Sequence, residues 1–148
     1  MDNSSLIESL KRLLANATIM YHRSHGFHWN VSGIDFPQWH GKFAEIYEDV
    51  YGSLDTIAEN ILKLGGNAPF TLTDLQNFAT LEDEGVSSYD SGSLVSDLRL
   101  TNANLINDLN AVFQAAVAAN QQGIANFIAE RIDSHQKWQW QLTASMED

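Results

Sequence analysis

The chain has 148 residues, 44 % of them hydrophobic, which is enough for a real core at this length. Nineteen acids against eight bases leave a formal charge of −11, which argues against a general nucleic-acid binder and suits cations as partners. Cysteine is absent, so disulfides, Cys-based zinc sites, iron–sulfur clusters and thiol catalysis are excluded.

The first periodic stretch runs from about Ser4 to Trp29, with Leu6, Leu10, Leu13, Leu14, Ala17, Tyr21, His25 and His28 on one stripe. Ser4 or Ser5 is the expected cap, and Val31-Ser32-Gly33-Ile34 breaks the pattern. The second stretch opens at Asp35 as N-cap, with Pro37 in the first turn and Gln38 at the capping-box position. It carries Phe36, Trp39, Phe43, Tyr47, Val50, Leu54, Ile57, Ile61 and Leu64, and Gly65-Gly66 ends it as a left-handed cap.

Residues 67–92 form a long connection in which Thr73–Phe78 is expected to make one short helix. A third long helix is expected from about Ser93 to Ala119, a turn at residues 120–123, and a fourth long helix from about Ile124 to Met146. Two short connections and one long one imply an all-α, ferritin-like four-helix bundle, with the short helix inside the crossover between the second and third long helices. One domain over residues 1–148 is the expectation. The start of the chain lacks a signal-peptide pattern and no apolar run is long enough to span a membrane, so a cytoplasmic protein is expected. The low share of charged residues, 18 %, points to surface buried in another subunit.

Four of the five histidines, His22, His25, His28 and His40, fall between residues 22 and 40, and Asp55 and Glu59 follow as an i,i+4 carboxylate pair. Two imidazoles and two carboxylates make a mixed N/O set suited to iron, manganese or zinc. His40 and Asp55 lie on one helix, about 22 Å apart along it, so no single ion joins them within one chain. Their rotational offset is only about 60°, so both face one side. An antiparallel pairing of this helix about a twofold axis near Tyr47 and Glu48 brings His40 of one chain to Asp55 of the other. Each part also has a plainer reading. A histidine on an apolar stripe, such as His28 or His135, is more often packed than a ligand, and exposed helical carboxylates are usually just solvated. Trp29, Trp39, Trp138 and Trp140 read as core or interface aromatics. Glu-x-x-His, used by the usual carboxylate di-iron bundles, does not occur.

The run His28-Trp29-Asn30-Val31-Ser32-Gly33, then Phe36, His40 and Phe43, then Asp55-Thr56-Ile57-Ala58-Glu59 and Leu64-Gly65-Gly66, resembles the signature of the Dps family, the mini-ferritins first named as DNA-binding proteins of starved cells. His135-Gln136-Lys137, Trp140 and Leu142 resemble the family's last-helix motif, with Gln136 in place of its usual Glu. The resemblance implies a hollow homo-dodecamer with an iron site at each twofold interface: His28 and His40 from one subunit, Asp55 and Glu59 from its mate. It implies a ferroxidase that oxidises Fe(II), preferably with hydrogen peroxide, and stores ferric mineral against oxidative damage. Zinc is a further candidate for the same mixed N/O ligands. Trp29 matches the Trp beside the site, which absorbs stray oxidising equivalents.

Three departures stand out. Ala44 replaces an acid often found four residues after the second ligand His, which weakens the second, looser iron position. Gln121 and Asn126 replace acids that line the threefold pores, where Glu130 and Asp133 are left to supply the negative charge. The tails lack the Lys/Arg clusters of the DNA-binding members: no base precedes Lys11, and the chain ends Met146-Glu147-Asp148. Two rivals remain beside the mini-ferritin reading, a DNA-compacting protein and a structural shell with an impaired oxidation site. The roles of His22 and His25 stay open.

Overall fold

The computed structural model describes residues 2–146 and contains α1 (Ser4–Asn30), α2 (Phe36–Lys63), α3 (Leu72–Phe78), α4 (Ser91–Ala118) and α5 (Gln122–Ala144), with no strand among those residues. The terminal Glu147 and Asp148 lie outside the described residues. The long helices, of 27, 28, 28 and 23 residues, form two antiparallel hairpins, α1–α2 and α4–α5, that pack mainly through α1 on α4. The stripes meet in one core, with Leu10, Leu13, Met20, Phe43, Val50, Ile61, Leu98, Val112 and Ile128 fully buried.

The crossover carries the chain back along the bundle. It ends beside the α1–α2 turn, where the Ser32 N–H donates to the Tyr89 carbonyl at 3.0 Å and the Ser91 hydroxyl donates to the Asp35 carboxylate at 2.6 Å. Chain direction follows from that placement: α4 runs parallel to α2 and antiparallel to α1. Midway, the buried Asn16 amide clips the crossover to α1, accepting from the N–H groups of Thr80 and Leu81 at 2.9 and 3.1 Å. The all-α bundle with one crossover and a short helix inside it is therefore the architecture expected from periodicity.

Boundaries differ from the expectations where polar groups found other partners. Ser4 and Ser5 lie inside the first turn of α1 rather than capping it; Asn3 takes the N-cap position without a side-chain bond, and the Asp2 carboxylate receives the Ser4 N–H at 2.9 Å. Asp35 does stand at the N-cap of α2, but its side chain makes no capping bond because it is turned to Ser91. Asp90 and not Ser93 starts α4, accepting the Ser93 N–H at 3.0 Å, which begins the helix two residues early. Gly65 does end α2 at φ +93°: its own N–H bonds the Leu62 carbonyl and the Gly66 N–H bonds the Ile61 carbonyl, both at 3.0 Å, the paired bonds of a Schellman cap. Asn120, at φ 57°, ends α4 in the same way, which tightens the expected four-residue turn so that Gln122 and Gly123 are already helical. Trp138 is buried and Trp39 half-buried, but Trp29 and Trp140 are 65 % and 67 % exposed and are not core residues of this chain.

A buried polar seam joins α2, α4 and α5. The Arg131 guanidinium forks onto both oxygens of Asp49 at 2.9 and 3.0 Å, and the Trp138 indole N–H donates to the same carboxylate at 2.8 Å. Burial opposes ionisation of Asp49, but these bonds outweigh it and hold the carboxyl below its usual range. Beside it, His135 is held neutral, its pKa pushed down to about 3, first by burial and then by the Arg131 charge, with Asp49 opposing.

Candidate metal centre

The end of α1 and the start of α2 meet across the short turn at residues 31–35, and this brings His28 and His40 together. Their rings stack with centroids 3.8 Å apart and planes 16° apart, and Phe36 stacks on the outer face of His40 at 4.8 Å. Each histidine also bonds the backbone of the other: Nδ1 of His28 donates to the His40 carbonyl at 2.6 Å, and Nδ1 of His40 donates to the His28 carbonyl at 2.7 Å. A carbonyl oxygen only accepts, so both neutral rings carry their proton on Nδ1. Nε2 of each is thereby left as the basic nitrogen, the ligand-ready tautomer that histidines at metal sites acquire through a bond of this kind.

Asp55 and Glu59 sit on the exposed surface of α2, remote from the two imidazoles. Among the described residues no three His, Cys, Asp or Glu side chains of one chain gather where they could hold a metal ion. The structure thus assembles two of the four candidate ligands within one chain and leaves the carboxylate pair apart. Tyr51, 60 % exposed, and Leu62, 51 % exposed, share the helix face of Asp55 and Glu59.

Around the imidazole pair lies an aromatic group that spacing alone did not reveal. Tyr47 stacks on His25 with centroids 3.9 Å apart and reaches His28 at 5.3 Å, and Trp29 packs against His25 at 4.3 Å. Tyr21 touches Tyr47, Tyr51, His22 and His25, and its hydroxyl is hydrogen-bonded to Nδ1 of His25 at 3.1 Å. His25, left without a role by the sequence, therefore packs inside this group, and burial followed by the charges of His28 and His22 lowers its pKa. Tyr47, placed above near the twofold axis, is half-buried within its own chain. The readable signal was the run Tyr21, His25, His28 on one helical stripe, with Tyr47 one stripe position beyond Phe43 on the next helix.

Ala44 is half-buried, and Glu45, one residue on, is drawn to Lys42 at 2.8 Å. Glu130 and Asp133 are both exposed on α5, and Gln121 is its N-cap residue. No helix among the described residues is long and apolar enough to cross a membrane.

The family model of the ferritin-like domain matches residues 7–148. The DNA protection during starvation protein of Brevibacillus brevis is 30 % identical over 138 residues, covering 93 % of this chain and 92 % of its own length. Among solved structures, a Dps protein from Bacillus brevis superposes with a TM-score of 0.92 at 29 % identity, covering 99 % of this chain and 100 % of that one. The Dps protein of Vibrio cholerae O1, described as a member of a broad superfamily of ferritin-like diiron-carboxylate proteins, gives 0.92 at 27 %, covering 98 % and 91 %. Sequence similarity and fold agree along nearly the whole chain, and it belongs to the Dps family of ferritin-like proteins.

Proposed function

We propose that this protein is an iron-storing mini-ferritin whose oxidation sites are completed across twofold subunit interfaces. His28 and His40 of one subunit bind Fe(II) through Nε2, and Asp55 and Glu59 of the mate supply carboxylate oxygens that balance its charge. The observation that carries this reading is the reciprocal pair of Nδ1–H bonds, at 2.6 and 2.7 Å, which holds two imidazoles in one tautomer and one orientation. A merely packed histidine pair has no need of that arrangement. The exposed face of α2 supports the other half: Tyr51 and Leu62 flank the carboxylates with apolar surface suited to burial against a second copy.

The chemistry belongs to the iron, and the protein supplies ligands and position. Two Fe(II) ions each give one electron to one hydrogen peroxide, which leaves as two hydroxide ions, and the ferric product is stored inside a shell of twelve copies. Iron and peroxide are consumed together, so neither remains to make hydroxyl radical. Zinc takes the same ligands and inhibits by occupying them. The reading places the protein in the cytoplasm and gives DNA no part. Twelve copies at −11 each carry about −130, which repels phosphate.

Stopped-flow oxidation of Fe(II) by peroxide tests this reading. The wild-type protein oxidises Fe(II) faster than buffer, and His40→Ala and Glu59→Ala each remove that acceleration. Oxidation at the wild-type rate in both variants contradicts the assignment and favours a shell whose iron chemistry lies elsewhere.

A further inference from the structure

We infer that Ser91 and Asp35 are positioning residues for the His28–His40 pair: the first turn of α4 straps the α1–α2 turn shut and so holds both imidazoles in their binding geometry. This rests on the oxidation site proposed above and adds a determinant of its affinity for Fe(II).

The paired geometry is demanding, and the turn that produces it has little support of its own. The two Nδ1–carbonyl bonds, at 2.6 and 2.7 Å, run between the end of α1 and the start of α2, so they form when α2 folds back on α1 at one angle. Inside the turn Val31 is buried, but Ser32, Gly33 and Ile34 are exposed and add little packing. The turn closes on itself through the Phe36 N–H, which donates to the Gly33 carbonyl at 3.1 Å.

Further support comes from the other hairpin. The Ser32 N–H donates to the Tyr89 carbonyl at 3.0 Å and the Ser91 hydroxyl donates to the Asp35 carboxylate at 2.6 Å, so both ends of the turn are tied to the start of α4. That start is itself fixed: the Asp90 carboxylate accepts the Ser93 N–H at 3.0 Å and the Ser93 hydroxyl at 2.8 Å. Asp35 gives up a nearer role to make its tie. It stands at the N-cap of α2, where an aspartate ordinarily accepts an N–H of the first turn. Pro37 has no N–H to offer, and the Asp35 side chain leaves that of Gln38 uncapped. A local helix need is left unmet in favour of a contact between elements. The residue after Asp35 is Phe36, whose ring stacks on His40 with centroids 4.8 Å apart. Contact therefore runs from Ser91 through Asp35 and Phe36 to His40.

With the strap cut, a share of the turns opens and the imidazoles part. The metal ion then finds a complete pair in the closed share, and its apparent dissociation constant rises by the inverse of that share. Saturating Fe(II) restores closure, so the loss appears in KM and not in kcat.

A double-mutant cycle on assembled shells tests the inference. Peroxide-driven Fe(II) oxidation gives KM and kcat, and anaerobic titration with Co(II) alone, followed by its visible absorption, gives a dissociation constant free of turnover. Ser91→Ala and Asp35→Ala should each raise both KM and the Co(II) dissociation constant about three- to tenfold, the equivalent of one hydrogen bond, with kcat kept. The double variant should be no worse than the weaker-binding single, and Ser91→Thr and Asp35→Asn, which keep a donor and an acceptor, should bind like the wild type. Unchanged Co(II) affinity in both alanine variants, effects that multiply in the double variant, or a loss confined to kcat each overturns the inference and leaves the oxidation site standing. Wild-type Co(II) binding and Fe(II) oxidation that His40→Ala leaves unchanged overturn both.

Discussion

His28 and His135 both donate from Nδ1 to an oxygen, and they differ at the other nitrogen. At His135 the Nδ1 bond goes to the Asn102 side-chain oxygen at 2.7 Å, and Nε2 is taken by Arg131 at 3.0 Å, inside the α2–α4–α5 seam. At His28 the Nδ1 bond goes to the His40 backbone and Nε2 has no hydrogen-bond partner among the described residues. One imidazole is spent on joining helices, and the other keeps the Nε2 lone pair that the proposed site would use. A histidine is read better from the partner of its second nitrogen than from its place on a helical stripe.

The comparison breaks most visibly in acid. The unfolded chain protonates His135 near 6.5, whereas the folded chain resists until about 3. Between those values the unfolded state binds more protons, so stability from this group is complete above 6.5 and falls as pH drops toward 3. The loss is on the order of 4–5 kcal/mol. Thermal melts of the assembly from pH 7 to pH 4 should show this slope, and His28→Asn should retain it. A melting temperature flat over that range contradicts the buried-neutral reading of His135.

Next in size is Asp49→Ala, which strands the Arg131 charge and the Trp138 indole N–H. A stability loss of about 2–3 kcal/mol is expected, short of a fully buried pair because Asp49 is partly solvated. Denaturant titration measures it, and Fe(II) oxidation should survive wherever the variant stays assembled. His28→Ala sharpens the contrast from the other side. It should cost about 1 kcal/mol, the worth of an ordinary hydrogen bond, and on the proposed site it should remove iron oxidation. A loss equal to that of Asp49→Ala would place His28 among the structural histidines.

Tyr51→Glu has the smallest expected effect on the single chain, within about 0.5 kcal/mol, because the side chain is 60 % exposed. Its effect on assembly is far larger, since it puts an unpaired charge on the face proposed to meet a second copy. Size-exclusion chromatography should show smaller species. Tyr51 is a cleaner probe of that face than Tyr47, whose ring is already stacked on His25 within its own chain.

The four long helices were legible because their apolar residues recur at three and four, and the crossover because residues 67–92 break that rhythm. Helix ends were less legible. Ser4 and Asp35 each satisfy a local capping rule, but Asp2 and Ser91 compete for those bonds, and Asp90 caps α4 ahead of the expected start at Ser93, through contacts that spacing does not encode. Residue type and spacing marked the histidine cluster and the Asp55–Glu59 pair, and the choice of His28 and His40 among the histidines came from the family resemblance. The reciprocal His28–His40 bonds were not, because they depend on how tightly the 31–35 turn folds α2 back on α1. Asn102 offered a readable hint of the buried seam: it interrupts the stripe Leu98, Leu105, Leu109, and in the structure it is fully buried, holding His135 and Gln139. The Tyr21–His25 bond also follows an i,i+4 spacing, but nothing in the sequence says that Tyr47 will close over it.

Complementation between two inactive variants tests the central claim most directly. His28→Ala leaves Asp55 intact, and Asp55→Ala leaves His28 intact, so neither pure assembly contains a complete site. After disassembly and co-assembly, a twofold pair with one parent of each kind has one site lacking both residues and one site lacking neither. Peroxide-driven Fe(II) oxidation is measured on shells verified as mixed by mass. An interface site predicts that mixed shells recover part of the activity that both parents lack. A site contained within one chain predicts none, and mixed shells as inactive as their parents would contradict the shared-site account.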